Sequence, residues 1–430
     1  MPTFRTALFW CHLVAGLFAG VVVLIMSITG VALTYEKQML EWADRRAWSV
    51  PPPDGVERLG PETLLAQVRE AKPEAAPTTL TLRADPAAPA SVGFDRGVTL
   101  LVDPYTGAVI GPPPSGLRSF FRTMTSWHRW LALDGDSRGI GKAVTGASNL
   151  AFLFIVISGI YLWIPRIWTR LQVRNVLWFR SGLAPKARDF NWHNVIGIWS
   201  AIPLAIVVAG AVPISYPWAS ALVYRVVGED PPQGGRPGPP GAGPARGAGG
   251  GPGREGARAS EGGGREGGES RGPGPRSNRG RGADAGADAA RTPEPLPLTG
   301  LDAGYRTARA QVPSWRAITV RLPGEPASAW AFTIDEGYGG QPQRRGTLTV
   351  SRSGAVDRWE TFADQSAGRR LRSWLRFAHT GEYYGLVGQT IAGAVSLGGV
   401  VLVWTGLALA WRRFVAWRAR RRQATLRQAA

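Results

Sequence analysis

The segment Thr6 to Tyr35, TALFWCHLVAGLFAGVVVLIMSITGVALTY, decides the class of fold because it contains no Lys, Arg, Asp or Glu. About 20 apolar residues are enough to cross the hydrocarbon core of a bilayer. Three later stretches are equally free of charge: Ala143 to Pro165, Phe190 to Tyr224 and Tyr383 to Trp411. The sequence therefore predicts a helical membrane protein embedded in a lipid bilayer. Its four transmembrane helices are predicted at residues 6–35, 142–165, 190–217 and 383–411.

Basic residues are concentrated in short segments beside these helices. Arg5, the loop 166–189 and the tail 412–430 together hold fourteen basic residues and one acid. Short basic segments stay in the cytoplasm, so both termini and this loop are predicted to be cytoplasmic. The first helix is expected to remain as an anchor because no small-residue cleavage site precedes Glu36. The long connections 36–141 and 218–382 then lie on the outer side.

Composition and missing motifs exclude several classes of protein. The net charge of +19 arises mostly from the basic segments beside the helices, so no nucleic-acid partner is expected. A single cysteine, Cys11, excludes an intramolecular disulfide, a thiolate-held iron–sulfur cluster and a c-type haem attachment. No dinucleotide fingerprint, Walker motif or nucleophile elbow is present. No catalytic acid, base or nucleophile is therefore predicted.

The helices repeat one pattern. His12-x-x-x-Gly16 begins the first helix and His193-x-x-x-Gly197 begins the third. The second and fourth helices share a set of glycines and an arginine at identical spacings: Gly141, Gly146, Gly159 and Arg166 against Gly388, Gly393, Gly406 and Arg413. The chain is thus predicted to contain two tandem copies of a unit made of helix, outer segment and helix.

Each outer segment is predicted to fold as a small α+β module. The first has a helical pattern at 61–72, with strand patterns near 78–82, 91–94 and 98–102. The second has a helical pattern at 301–311, with strand patterns near 316–322, 329–334 and 347–350. The Gly/Pro/Arg-rich segment 231–292 has almost no large apolar residue, and we expect it to be disordered because it cannot bury a core.

The four histidines all stand at predicted membrane boundaries. His12 and His193 lie at the cytoplasmic ends of the first and third helices, while His128 and His379 lie just outside the second and fourth. Ionisable residues at membrane depth are functional-site candidates, and two imidazoles can fill both axial positions of a haem iron. The sequence therefore predicts two b-type haems, an inner one on His12 and His193 and an outer one on His128 and His379.

Residues around these histidines fit the same hypothesis. Gly16 and Gly197 follow their histidines by one helical turn and leave a face without bulk for a flat macrocycle. The nearby arginines are candidate partners for haem propionates: Arg5 and Arg166 inside, Arg129 and Arg376 outside. Two alternatives stay open, namely interfacial histidines with glycines that serve helix packing, and zinc or copper sites. The metal-ion alternative is weaker because the two pairs lie on opposite sides of the bilayer, whereas a structural zinc ion needs four nearby ligands.

Several motifs resemble those of the PepSY-associated transmembrane helix family, bacterial iron-regulated inner-membrane proteins that include ferric-siderophore reductases. The similar stretches are the histidine start and Thr29-Gly30 of the first helix, DPYTG at 103–107, SGIYLWIPR at 158–166, FNWHNVIG at 190–197, HTGEYYGLVGQ at 379–389 and TGLALAWRR at 405–413. The resemblance covers nearly the whole chain outside 231–292. It implies a four-helix core with two PepSY-like periplasmic modules and, as in the reductases, haem b held by membrane histidines.

The leading hypothesis is a multi-pass di-haem oxidoreductase of the bacterial inner membrane. A quinol or a cytoplasmic reductant would supply electrons, and a periplasmic ferric siderophore would accept them and release its iron. The alternative is a non-enzymatic PepSY-type protein that binds a periplasmic peptide, protease or assembly partner, and it predicts a protein without a chromophore. A transporter is a weaker possibility because the predicted helices lack a charged midplane residue.

Overall fold

The computed structural model describes residues 3–164, 169–232, 297–323 and 329–429. The segment predicted to be disordered, 231–292, lies outside the described residues apart from its first two positions. Arg166 also lies outside them.

Helices dominate the described residues. Their bounds are α1 Phe4–Leu33, α2 Glu36–Ala47, α3 Pro61–Ala71, α4 Ser115–Trp130, α5 Arg138–Trp163, α6 Arg170–Leu177, α7 Pro185–Ser215, α8 Pro217–Val226, α9 Leu301–Gln311, α10 Ala367–His379 and α11 Gly385–Ala429. Four of them, α1, α5, α7 and α11, are long and apolar enough to cross a membrane. The prediction of four membrane-spanning helices is confirmed, and the protein is a membrane protein.

The four long helices form a bundle with a defined order. Helix α1 packs against α5 and α11, and α7 packs against the same two helices. Helices α1 and α7 therefore occupy diagonal positions. Their shared interior contains the buried side chains Val156, Leu204, Val208 and Val395, which give the bundle a dry centre.

Polar contacts define which helix ends lie together. The Arg5 guanidinium donates hydrogen bonds to the carbonyls of Leu162 (2.6 Å) and Ile164 (2.8 Å). Arg412 on α11 pairs with the buried carboxylate of Asp189 on α7 at 2.7 Å. The start of α1, the end of α5, the start of α7 and the later part of α11 therefore share one end, which we call the tail end. We call the opposite end the sheet end.

The strands of the described residues belong to one antiparallel sheet of eight. Their bounds are β1 Pro77–Arg83, β2 Ala90–Phe94, β3 Thr99–Val102, β4 Val109–Gly111, β5 Ala317–Arg321, β6 Ala329–Asp335, β7 Arg345–Ser351 and β8 Val356–Thr361. The order is β4-β3-β2-β1-β5-β6-β7-β8. At the centre Thr81 of β1 stands opposite Thr319 of β5, and their hydroxyls are 2.9 Å apart. The two outer segments thus share one sheet. The pairing of β1 with β5 covers two strands that would be exposed edges if each segment formed its own sheet.

Two short helices cover the apolar face of this sheet. Leu64 and Leu65 of α3 and Leu301 of α9 are fully buried, and α3 packs on β1 while α9 packs on β6 and β7. The two helices also cap each other. The backbone N–H of Glu62 donates to the Asp302 carboxylate (2.9 Å), and the N–H of Asp302 donates to the Glu62 carboxylate (3.1 Å). Each acid therefore satisfies a free donor at the start of the other helix.

Replacing Asp302 with alanine is expected to destabilise the sheet domain by about 1 kcal/mol, the usual cost of removing a helix cap. The backbone N–H of Glu62 loses its acceptor in this variant. Asp302→Asn is the control because asparagine keeps a side-chain oxygen at the same place. Thermal unfolding followed by near-UV circular dichroism would show the difference. Equal midpoints for the alanine variant and the wild type would contradict the capping role.

Candidate functional site

His128, on α4 at the sheet end, is oriented by α1. Its Nδ1 atom lies 3.0 Å from the hydroxyl of Thr29, and that hydroxyl donates its proton to the Ile25 carbonyl at 2.7 Å. Since the hydroxyl has only one proton, it accepts from Nδ1–H of the imidazole. The lone pair of His128 is then on Nε2, which is the nitrogen free to bind a ligand. Gly30 lies beside the ring, and a Cβ there would lie 3.5 Å from its Cε1, an ordinary contact distance.

His379, on α10, is oriented by α7 on the other side of the bundle. Its Nδ1 lies 2.7 Å from the carbonyl oxygen of Val207. A carbonyl only accepts, so Nδ1 carries the proton and Nε2 again has the lone pair. Gly210 allows α10 to approach closely, since a Cβ at this position would collide with the carbonyl of Leu375.

The rings of His128 and His379 lie 6.1 Å apart, centre to centre, with their planes at 46°. Metal–imidazole bonds are about 2 Å long and a ring centre lies about 1 Å beyond its nitrogen, so two imidazoles on opposite sides of one metal have centres about 6 Å apart. Burial, with the neighbouring His379, lowers the pKa of His128 to about 4. Burial also lowers the pKa of His379. Both rings are therefore neutral near pH 7, as axial ligands must be.

The two rings open into a cleft at the sheet end. The cleft has a volume of about 80 Å³ and is partly open to the outside. Its walls come from α1, α4, α5, α7 and α10: Met26, His128, Arg129, Trp130, Lys142, Thr145, Asn149, Ala211, Ile214, Ser215 and His379.

His12, on α1 at the tail end, is oriented by α5. Its Nδ1 lies 2.9 Å from the hydroxyl of Ser158, which donates to the Ile155 carbonyl at 3.2 Å. Because this hydroxyl uses its one proton on the carbonyl, it accepts from Nδ1–H of His12, and the lone pair of the imidazole is on Nε2. Gly159 faces the ring, and a Cβ there would lie 3.5 Å from its Cε1.

His193, on α7, has the equivalent arrangement with α11. Its Nδ1 lies 3.0 Å from the hydroxyl of Thr405, which donates to the Val401 carbonyl at 2.7 Å. A Cβ on Gly406 would lie 3.4 Å from its Cε1. The structure therefore brings His128 and His379 together, as the sequence analysis grouped them, and gives His12 and His193 equivalent hydrogen bonds at the tail end.

The predicted glycines next to the tail-end histidines lie beside open space. Among the residues that the structure describes, no packing atom comes within 4 Å of a Cβ built on Gly16, and a Cβ built on Gly197 is approached only by a methyl of Leu402, at 3.7 Å. Both glycines stand one turn from a histidine on its own helix. These positions keep room for a flat group beside the imidazoles.

The predicted arginines have different surroundings. Arg5 is occupied by the carbonyls at the end of α5. The Arg129 guanidinium lies 4.6 Å from the ring centre of Trp130 and lines the cleft. Arg376 lies 5.6 Å from the ring centre of Phe377 and interacts electrostatically with Arg129. Two cations thus stand near the sheet-end pair, where haem propionates would need them.

Sequence reasoning missed the hydroxyl partners of the histidines. Each of Thr29, Ser158 and Thr405 directly precedes the glycine that faces its histidine. This recurring pair of a hydroxyl residue and a glycine is the sequence pattern that could have predicted the partners of the histidines. On α7 the corresponding residue before Gly210 is Ala209, and there a backbone carbonyl replaces the hydroxyl.

Two imidazoles alone do not complete a site for a bare metal ion. Within the part of the chain that the structure describes, no group of three or more His, Cys, Asp and Glu is placed to hold a metal. Zinc sites use three or four protein ligands. A pair of opposed imidazoles instead suits a metal whose other four positions come from a macrocycle, as in haem.

The fold and these pairs define a membrane protein with four spanning helices, an extramembrane antiparallel sheet and two sites built from paired histidines. Residues 9–413 match the family described as PepSY-associated TM region, and the chain belongs to that family. A comparison with curated proteins finds no match.

Proposed function

We propose that this protein is an electron-transfer protein that holds two b-type haems and reduces a ferric chelate at the sheet end. The observation that carries the proposal is the buried pair of His128 and His379, whose ring centres lie 6.1 Å apart, a separation that two ligands of one iron could have. Bound haem would supply an Fe(III)/Fe(II) couple at each pair. The second pair, His12 and His193, has the same lone-pair arrangement.

The two histidine pairs are separated by most of the length of α1. His12 and Gly30 are eighteen residues apart on α1, or about 27 Å at the rise of an α-helix. Gly30 contacts His128, so the two pairs stand near opposite faces of a bilayer core about 30 Å thick. The apolar interior around Val156 and Leu204 separates them and keeps water out.

The charge distribution supports a direction of transfer. The basic loop and tail accompany the tail end, which the positive-inside rule assigns to the cytoplasm. The sheet end then faces the periplasm of a bacterial inner membrane, and the two outer segments that share the sheet would be tandem copies of one PepSY-like module. A quinol or a cytoplasmic reductant gives one electron for each Fe(III), and a ferric siderophore accepts it. Fe(II) binds hard oxygen ligands less tightly than Fe(III), so iron is released without acid/base chemistry.

The first test is a visible spectrum of the detergent-purified protein, oxidised and then reduced with dithionite. Pyridine haemochrome quantification is expected to give two b-type haems per chain. Oxidation of the reduced protein by a ferric siderophore would then establish the acceptor. A colourless but folded protein from haem-replete cells would overturn the proposal and leave a non-enzymatic sheet domain that binds a periplasmic partner.

Replacing Thr405 with valine is expected to weaken haem binding at the tail-end pair by about 10- to 100-fold, the usual effect of removing a hydrogen bond to a metal-ligating histidine. Valine has nearly the shape of threonine but removes the hydroxyl that accepts from Nδ1–H of His193. Haem transfer to excess apomyoglobin measures the affinity. Thr405→Ser keeps the hydroxyl and is expected to behave as the wild type.

Thr390 provides a matched control on the same helix, because its hydroxyl contacts Tyr35 and the Leu386 carbonyl instead of a histidine. Thr390→Val is expected to retain both haems at wild-type affinity. Equal transfer rates for Thr405→Val and Thr390→Val would show that the hydroxyl of Thr405 does not position His193.

A further inference from the structure

Two cations line the sheet-end cleft, and two more lie close to one of them. Arg129 and Lys142 line it, and Arg129 interacts electrostatically with Arg138 and Arg376. Arg129 is thus close enough to Arg138 and to Arg376 for their charges to repel. Such a cluster favours a bound anion.

Trp130 fixes two of these cations. The guanidinium of Arg129 lies 4.6 Å and that of Arg138 3.6 Å from the centre of its ring. Trp130 itself lines the cleft. Cation–π contacts of this kind hold long side chains in place, so less side-chain freedom is lost when an anion binds.

The turn that carries Trp130 is held in a costly conformation. Leu131 and Ala132 have φ values of 53° and 58°, in the left-handed region that residues with side chains rarely adopt. The Thr145 hydroxyl donates to the Arg129 carbonyl at 3.0 Å and ties the turn to α5. Strained backbone persists where the surrounding structure enforces it and is common at ligand sites.

These cations lack an acidic partner in the described part of the chain. There, the side chains of Arg129, Arg138 and Lys142 make no ion pair and no hydrogen bond. Arg376 interacts with Glu382, but that carboxylate already pairs with Lys37 at 2.6 Å. The cluster therefore keeps an excess of positive charge that the protein itself does not neutralise.

A haem on the outer pair would not remove this excess. It carries two propionates, and Arg129 and Arg376 are enough to pair with them. Arg138 and Lys142 remain. Because Lys142 faces the same cleft as His128 and His379, the remaining charge is directed toward the proposed site of iron reduction.

We infer that Arg138 and Lys142 bind the carboxylates of an anionic ferric chelate at the mouth of this cleft. This assignment of substrate class rests on the proposed function. The bound Fe(III) takes one electron from the reduced protein and becomes Fe(II), which then leaves the carboxylate oxygens. No bond in the chelating molecule is broken and no proton is transferred.

The test uses gallium(III) citrate, a redox-inert anionic probe, titrated calorimetrically into the haem-loaded protein in phosphatidylcholine nanodiscs. Arg138→Gln and Lys142→Gln are each expected to weaken binding about tenfold, as the loss of one charge-assisted hydrogen bond does. Added salt is expected to weaken binding to the wild type. A neutral gallium trihydroxamate is expected to bind wild type and variants equally. Arg306→Gln, an exposed position on α9, is the control and is expected to bind citrate normally.

Several results would overturn the inference while leaving the proposed function intact. These are two haems in the wild type with no citrate binding, variants that bind citrate normally, or variants whose haem content falls because the cations hold propionates. Displacement of citrate by phosphatidylglycerol in the nanodisc would assign the cations to lipid headgroups and also overturn it. Failure of the proposed function itself appears separately, as a wild-type protein without haem.

Discussion

Replacing His128 with alanine is expected to halve the haem content, from two per chain to one. The variant leaves His379 as the only protein ligand at the sheet end, and one imidazole of an opposed pair does not hold a low-spin six-coordinate iron. The tail-end pair lies about 27 Å away along α1 and has its own hydrogen bonds. Pyridine haemochrome analysis of the purified variant measures the loss directly.

Double variants make this prediction sharper. Because His128 and His379 belong to one site, His128→Ala/His379→Ala is expected to lose no more haem than either single variant. His12→Ala/His128→Ala removes one ligand from each pair and is expected to lose both haems. Trp127→Phe, beside His128 on an exposed part of α4, is the control and is expected to keep two. A full complement of haem in His128→Ala would exclude this residue as a ligand.

The membrane helices and the histidine pairs could be predicted from the sequence because each leaves a local signal. Charge-free runs of more than 20 residues have few other structural explanations. His12 and His193 could be grouped because basic flanking segments place both at the same end. The helix at 301–311 was also predicted with the bounds that the structure has, since its apolar residues recur with helical spacing.

The partners of the histidines could not be predicted because they depend on which helix faces which. Periodicity shows that one face of α5 carries Ser158, but it does not show that His12 lies opposite. The carbonyl of Val207 has no side-chain signal at all. The pairing of β1 with β5 joins Thr81 to Thr319 across a long stretch of chain, and no local pattern encodes contacts at such separation.

Two glycine variants at the sheet end are expected to differ strongly although each adds only one methyl group. Gly210→Ala places a Cβ against the carbonyl of Leu375, and that Cβ would also lie 3.1 Å from the Cβ of His379. Helix α10 must then move away from α7, and the 2.7 Å hydrogen bond from His379 to the Val207 carbonyl is lost. We expect this variant to keep one haem and to lose about 1 to 3 kcal/mol of stability, as overpacked sites do.

Gly30→Ala is the matched control at the other histidine of the same pair. Its Cβ would lie 3.5 Å from Cε1 of His128 and 3.7 Å from the hydroxyl of Ser396, which are ordinary contact distances. Alanine also favours the helix by about 1 kcal/mol over glycine, so this variant is expected to keep both haems and to unfold at the same or a higher temperature. Haem content and thermal unfolding measure both variants, and the haem retained at the tail end reports that the bundle is folded. If His379 is held in place by the close packing of α10 on α7, it cannot bind haem after that packing is lost. Two haems in Gly210→Ala would therefore contradict this role of the packing.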